Sequence, residues 1–440
     1  MLETAQKIID FVIAENMPQS AVKKALSDYH FDKSKTYHIM AIGKAAWTMA
    51  IAAVDFFCEN LQDISLKIAV VVTKHGHTSA VADADWEQLQ NALKNGKNPP
   101  KIHQKVHHFE AGHPISDDQT IIATEYCINL AENLTENDEL IFLLSGGGSA
   151  LFEKPLPGVS LADIQDISAQ LLASGANIVE INVIRKRLSS VKAGRFAQLV
   201  APAKIFAIVL SDVLGDRLDS IASGPTAADT ATTEQALYIL DKYGIKIKPQ
   251  HLAYISQATP ANITNVQTSI VGSVNTLCKA AAEISQKMGY TPYILTTSLD
   301  CEAAEAGRFL GKIASDTHFS RNSFVKPCVI IAGGETVVTI KGNGKGGRNQ
   351  ELALSAAKPI ENLPNTLIFS LGSDGTDGPT DAAGGIVTGE TIAKLAAANL
   401  NIDKILANND SYTALKEVNG LIVTNPTGTN VNDLSVAICG

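Results

Sequence analysis

Two cations sit where local stability gives no reason for them. In AIGKAA, Lys44 follows an apolar run and opens a helical pattern, so its ammonium opposes the helix macrodipole. It is either an exposed lysine or a point charge for a phosphoryl group or carboxylate. Arg348, after the glycines of GNGKGGRNQELAL, opens another helical pattern and calls for an anionic partner, with Asn349 beside it and Glu335 upstream between two expected strands. In SDVLGDRLDSIASGPT (211–226), Asp212, Asp216 and Asp219 crowd next to hydroxyls. Such carboxylates suit a hard divalent cation or a general base, and equally a solvated, helix-capping loop. LGSDGTDGPTDAAGG (371–385) adds Asp374, Asp377 and Asp381; the spacing is not that of an EF-hand, leaving a nucleotide or Mg²⁺ contact, or a plain loop.

The sharpest motif is LLSGGGSAL (143–151). Gly146, Gly147 and Gly148 let backbone approach a ligand, the next helix start offers N–H donors, and Ser145 and Ser149 add hydroxyls. An anion cradle and a sterically tight strand–helix turn are its two readings. It matches neither the P-loop nor the dinucleotide fingerprint. Downstream, INVIRKRLSSVKAGRFA (181–197) gathers Asn182, Arg185, Lys186, Arg187, Lys192 and Arg195; on one helix Arg185 and Lys192, seven apart, share a side. His75, His77, His107, His108 and His113 show no metal-ligand spacing and read as loop residues. The six cysteines are scattered and form no C-x-x-C pair.

The elements that must position these groups are short apolar runs, each followed by a turn and, in most cases, a helical pattern. They are 37–43, 139–145, 205–211, 269–272, 293–297 and 366–372. Continuous apolar runs mark strands covered on both faces, as in parallel sheets, and their alternation with helices predicts βαβ units. Ser116 with Gln119 reads as a capping box. A polar stretch places a boundary near 250–270, giving two α/β domains with a cleft between them. A third unit starting near 328 is the alternative. Of 440 residues, 45% are hydrophobic and 18% charged, and the net charge is −9. That excludes disorder and a nucleic-acid-binding surface, and no apolar run reaches the length of a membrane span. The expected compartment is the cytoplasm.

The segments AIGKAA, GHPISDD, LLSGGGSALF, NVIRKRLSSVKAGR, LSDVLGDRLDSIASGPT, GGETVVTIKGNGKGGRNQE, SDGTDGPTDAAG and PTGTNVNDL together resemble the type 2 glycerate kinase family. The resemblance spans nearly the whole chain. It implies a Rossmann-like doubly wound N-terminal domain (1–260), a smaller α/β C-terminal domain (261–440) containing the MOFRL region (about 328–440), and an active site in the interdomain cleft. It implies ATP-dependent phosphorylation of D-glycerate to 2-phosphoglycerate, with Mg²⁺ as cofactor and homodimerisation left open. The family's functional Lys, Asp and Arg map onto Lys44, Asp212 and Arg348, and Asp216 is the expected metal partner. Ser145–Ser149, Arg185, Lys192, Glu335, Asn349, Asp374 and Asp377 are the expected substrate or nucleotide contacts. Family members also carry the name hydroxypyruvate reductase. An NAD(P)H-dependent reductase needs a unit of G-x-G-x-x-G after a strand with an acidic residue about 20 further on, and no such unit is present.

Overall fold

The computed structural model describes residues 1–76, 106–211, 215, 217–424 and 427–440. Asp212, Asp216 and His77 lie outside the described residues. The chain forms two compact units, Ala21–Val271 and Gly272–Gly440 together with Met1–Ser20. The division falls slightly beyond the expected position, and the first helix, Leu2–Glu15, belongs to the second unit rather than the first. Its C-terminal end explains why. Asn16 accepts a hydrogen bond from Thr276 (2.9 Å) and, through its carbonyl, from Thr429 (2.7 Å), and the Lys287 ammonium lies over the Phe11 ring.

The Ala21–Val271 unit is built on six strands: β1 (Thr36–Ile42), β2 (Ser65–Lys74), β3 (Val106–Ala111), β4 (Asp138–Leu144), β5 (Lys204–Leu210) and β6 (Val266–Gly272). Their order is β3-β2-β1-β4-β5-β6, and the pairings of β3 with β2, β2 with β1, β1 with β4 and β4 with β5 are parallel. This is the strand order of a doubly wound, Rossmann-type sheet. Met40 and Ile42 of β1 and Leu140, Phe142 and Leu144 of β4 point into one core, with Ala123, Cys127 and Ile128 of the Asp118–Glu132 helix. The Ala46–Asn60 helix packs on β1, β2 and β4 as well. The helices within 161–187 and 233–255 add a layer with its own core of Ile164, Leu171, Ile184, Leu188, Ile239 and Ile255. Arg187, fully buried, ties that layer together by donating to the carbonyls of Ala231, Ile255 and Gln257.

The second unit holds β7 (Thr291–Leu299), β8 (Cys328–Gly334), β9 (Thr366–Gly372), β10 (Gly384–Thr388), β11 (Leu421–Ile422) and β12 (Asp433–Cys439). Their order is β11-β10-β9-β12-β8-β7; β7 and β8 are parallel and every other pairing is antiparallel. The continuous apolar run at 366–372 predicts a strand of a parallel sheet. β9 is buried along its whole length, as are β8 and β12, yet all three pair antiparallel to a neighbour. A two-faced apolar run reports cover by helices on both sides, not strand direction.

Four local expectations are corrected. Residues 181–197 are not one helix: the first helix ends at Arg187, and Lys192 lies in the turn before a second one, Arg195–Val200. The cap of the Asp118–Glu132 helix is Asp117 with Thr120, whereas the Ser116 hydroxyl donates to the Ala150 carbonyl (2.7 Å). His107 and His108 belong to β3 and are not loop residues. After Glu335 there is no strand but a single bridge at Val337. Among the described residues no helix is long and apolar enough to cross a membrane, and all six cysteines are free thiols.

The Ala303–His318 and Arg348–Ala356 helices touch backbone to backbone at Gly307, where an added Cβ would collide with the Leu352 carbonyl. Gly307→Ala should therefore destabilise the fold by about 1–3 kcal/mol, the usual cost of overpacking a tight contact. Chemical denaturation measures it, and an unchanged midpoint would contradict the close packing.

Candidate active site

In the order β3-β2-β1-β4-β5-β6 the chain leaves β1 towards one edge of the sheet and β4 towards the other, so the carboxyl ends of β1 and β4 flank a crevice. Both expected anion-binding segments fall there. Lys44 follows β1, and Ser145–Ser149 follow β4. The Lys44 amide donates to the Gly146 carbonyl (2.9 Å) and the Ala45 amide to the Ser145 hydroxyl (3.1 Å). Gly43 permits this approach: its φ is +127°, and a Cβ there would strike Ser145. Gly147 is left-handed, with φ +87°. Among the described residues nothing accepts from the amides of Gly146, Gly147 or Gly148, which leaves three successive N–H donors beside the exposed Lys44. The following helix, Gly148–Leu151, is a single turn. It supplies little macrodipole, so the attraction for an anion comes from the N–H groups and the ammonium.

The turn is held from below. Lys192, fully buried, donates to the Ser149 carbonyl (2.6 Å) and to Glu153 (2.5 Å), which is equally buried. Burial, only partly offset by Glu153, holds the Lys192 ammonium below the usual lysine range. The side chain that sequence spacing offered to a ligand thus has its ammonium engaged inside the protein. Arg185, half-buried nearby, has a buried Nε with no partner among the described residues and repels the Lys192 charge. From the other side, the Ser149 and Ser223 hydroxyls lie 3.1 Å apart. Ala222, Ser223 and Gly224 are successive left-handed residues (φ +48°, +62° and +66°), fixed by Ala193 N–H to Ser223 (3.1 Å) and Gly194 N–H to Gly224 (2.7 Å). Two non-glycine residues in that conformation are strained backbone of the kind functional sites hold. Gly148 keeps the contact close, since a Cβ would lie 2.7 Å from the Ala222 methyl. Asp219 bonds Arg217 (3.0 Å) and Thr230 (2.7 Å), and Lys186 lies between Asp219 (3.7 Å) and Asp229 (3.3 Å).

The second unit gathers its own cluster at one end of its central strands, where Asp433 sits opposite Gly334 on one side and Gly372 on the other. The anionic partners of Arg348 are protein carboxylates. Its Nε and Nη2 donate to Asp433 (2.5 and 3.0 Å) and its Nη1 to Glu335 (2.8 Å). Of the five N–H groups a guanidinium carries, two remain for a ligand. Burial pushes the Asp433 carboxyl up to about 6 in spite of Arg348. Burial opposes the Arg348 charge too, but its bonds to Asp433 raise it above the ordinary arginine value. Asp377 caps the Arg348–Ala356 helix, accepting from the amides of Asn349 (3.1 Å) and Gln350 (2.8 Å); burial raises its carboxyl. Asn349 is buried, accepting from Ser370 (2.6 Å), and Asp374 accepts from the Thr376 amide (2.9 Å). Asp433 was not singled out from the sequence, although it lies in the quoted PTGTNVNDL. It stands 85 positions from Arg348, and only strand pairing brings the two together. Among the described residues no group of three or more His, Cys, Asp or Glu could hold a metal ion.

A family model described as a domain of unknown function (DUF4147) matches residues 4–256, and one described as the MOFRL family matches 328–433. A D-glycerate 2-kinase from Thermotoga maritima is 47% identical over 99% of this chain and 97% of its own length. A glycerate 2-kinase from Pyrococcus horikoshii is 41% identical over 92% of this chain and 88% of its own. The crystal structure of a glycerate kinase from Thermotoga maritima matches with a TM-score of 0.88 at 46% identity, covering 100% of this chain and 99% of that one. With both models matched in order and such identity over nearly its full length, the chain belongs to the glycerate kinase family that joins a DUF4147 domain to a MOFRL domain.

Proposed function

We propose that this chain phosphorylates D-glycerate on its 2-hydroxyl at the expense of ATP. The observation that carries the reading is the row of three unpaired N–H groups beside Lys44 at the switch point of the sheet, a site for phosphate or carboxylate oxygens. The names of its relatives supply the substrate and the position phosphorylated. The rival NAD(P)H-dependent reductase has no support in the turn after β1, which reads Gly-Lys-Ala-Ala where a dinucleotide site needs Gly-x-Gly-x-x-Gly. A kinase of this kind works where ATP is supplied, in the cytoplasm.

Phosphoryl transfer asks a protein mainly for positioning and for charge stabilisation. The glycerate 2-oxygen attacks the γ-phosphorus, the bond to the β-phosphate oxygen breaks, and ADP leaves. The hydroxyl proton passes to Asp212, whose role rests on the family resemblance. The glycine turn and Lys44 offset charge on the transferring group, and the family resemblance gives Arg348 an anionic oxygen of substrate to neutralise. Asp433 and Glu335 hold that guanidinium in one orientation. Mg²⁺ would accompany ATP and neutralise its phosphates.

ADP should form only with glycerate, ATP and a divalent cation together, while hydroxypyruvate and NADH give no oxidation. The reverse result in a coupled assay would make this chain a reductase. Carbon–phosphorus coupling in the product should place the phosphate at the 2-position. Asp212→Asn should lower turnover by about 10²-fold or more with folding intact, the scale of general-base loss. Lys44→Ala should also lower turnover. Arg348→Lys should be harmful because a point ammonium cannot take the two-pronged bond to Asp433. Normal kcat in a folded Asp212→Asn protein would remove that residue from the mechanism.

A further inference from the structure

The loop after β3 reads Gly-His-Pro, and its histidine has no role in the scheme above. It does not stand apart from the site. An added Cβ on Gly147 would lie 3.0 Å from the His113 Cδ2, 3.1 Å from its Nε2 and 3.3 Å from the Lys44 Cγ. The imidazole edge and the lysine stem thus close on the same glycine, the middle one of the three whose amides are unpaired. The loop is fixed there by its neighbours. Ser116 donates to the Ala150 carbonyl just beyond the glycine turn (2.7 Å), and Asp117 accepts from the Gly112 amide (3.0 Å) while capping the next helix. β3, β1 and β4 run parallel, so His113, Lys44 and the glycine turn all emerge at the carboxyl edge of one sheet. His113 is half-buried, with its Nε2 edge turned to the turn rather than into the core.

We propose that His113 is a further substrate-contacting residue, donating from Nε2 to an oxygen of the anionic group held by the Gly146–Gly148 amides. The inference rests on the reading of that turn as an anion site. The anion is a phosphoryl group of the nucleotide or the carboxylate of glycerate, and imidazole suits both, since each presents a charged oxygen acceptor. A donor here has no covalent part in the reaction. It adds a directed hydrogen bond to the amides and the ammonium, in a position that a glycine without Cβ leaves open.

The test compares His113→Ala and His113→Gln in the full-length protein, with ATP and glycerate varied separately. Glutamine places an amide N–H close to where Nε2 stands, so it restores the donor without the ring. The expected result is a loss of about tenfold or more in kcat/KM for the alanine variant, the scale of a lost bond to a charged acceptor, with much of it recovered by glutamine. A rise in KM confined to glycerate assigns the bond to the carboxylate. A fall in kcat, or a rise in KM for ATP, assigns it to the phosphoryl group. Alanine within twofold of the parent, or glutamine no better than alanine at equal Tm, overturns the proposal. Should the parent itself turn over no glycerate, the kinase reading fails, and calorimetric binding of ATP to the same three proteins then decides whether His113 touches an anion.

Discussion

The amide of Lys44 donates to the carbonyl of Gly146, and the amide of Ala45 to the hydroxyl of Ser145. Those two bonds join the chain leaving β1 to the chain leaving β4 at the point where the sheet changes direction. Everything else at this site follows from the constraint they impose. Two backbones this close leave no room for a Cβ at Gly43, and the Gly147 amide can turn outward only through a left-handed residue. Carbonyls are drawn into bonds within the turn, while the amides of Gly146–Gly148 are left over. A concentration of unpaired donors is costly unless water or an anion meets them, which is what makes the turn a binding surface as well as a connection.

Such a turn is floppy unless something holds it, and here the support is ionic. Lys192 and Glu153 are buried together, and the ammonium reaches the Ser149 carbonyl as well. An ion pair of this kind contributes little net stability compared with apolar packing. Removing one partner nevertheless strands the other, at about 3–5 kcal/mol. Its effect is geometric: it fixes the end of the glycine turn against the strained Ala222–Gly224 segment, itself pinned by Ala193 and Gly194. Arg185 stands near this support, and its charge repels that of Lys192.

The second unit solves the opposite problem. Arg348 opens a helix whose first amides are taken by the Asp377 carboxylate, and its guanidinium is gripped by Asp433 and Glu335. The cation would be unfavourable at a bare helix start; the surrounding carboxylates reverse that balance. Burial raises the carboxyls of Asp433 and Asp377, the expected consequence of crowding acids in a place of low polarisability around one cation. A two-pronged bond fixes a planar group in orientation, which a single contact to a flexible ammonium does not do.

Residue patterns alone were enough to reveal the strands at 36–42, 138–144 and 204–210, because a strand covered on both faces must be apolar throughout. They also located the glycine turn, Lys44 and Arg348, because three consecutive glycines and cations at helix starts are locally unfavourable and so stand out. Sequence could not give the direction of β9 and β12, since antiparallel strands under helices are just as apolar. Nor could it show that the ammonium of Lys192, expected to meet a ligand, is engaged inside the protein; only the fold surrounds it with Glu153 and Ser149. Asp433 stays inconspicuous for the same reason, and His113 reads only as a loop histidine. An aspartate near a chain end and a histidine before a proline are unremarkable as letters, and each acquires its meaning from strands that pair across long stretches of sequence. Local composition determines which segments are unusual. Tertiary contacts decide what they are unusual for, because charge, burial and hydrogen-bond partners are properties of a place in space and not of a residue type.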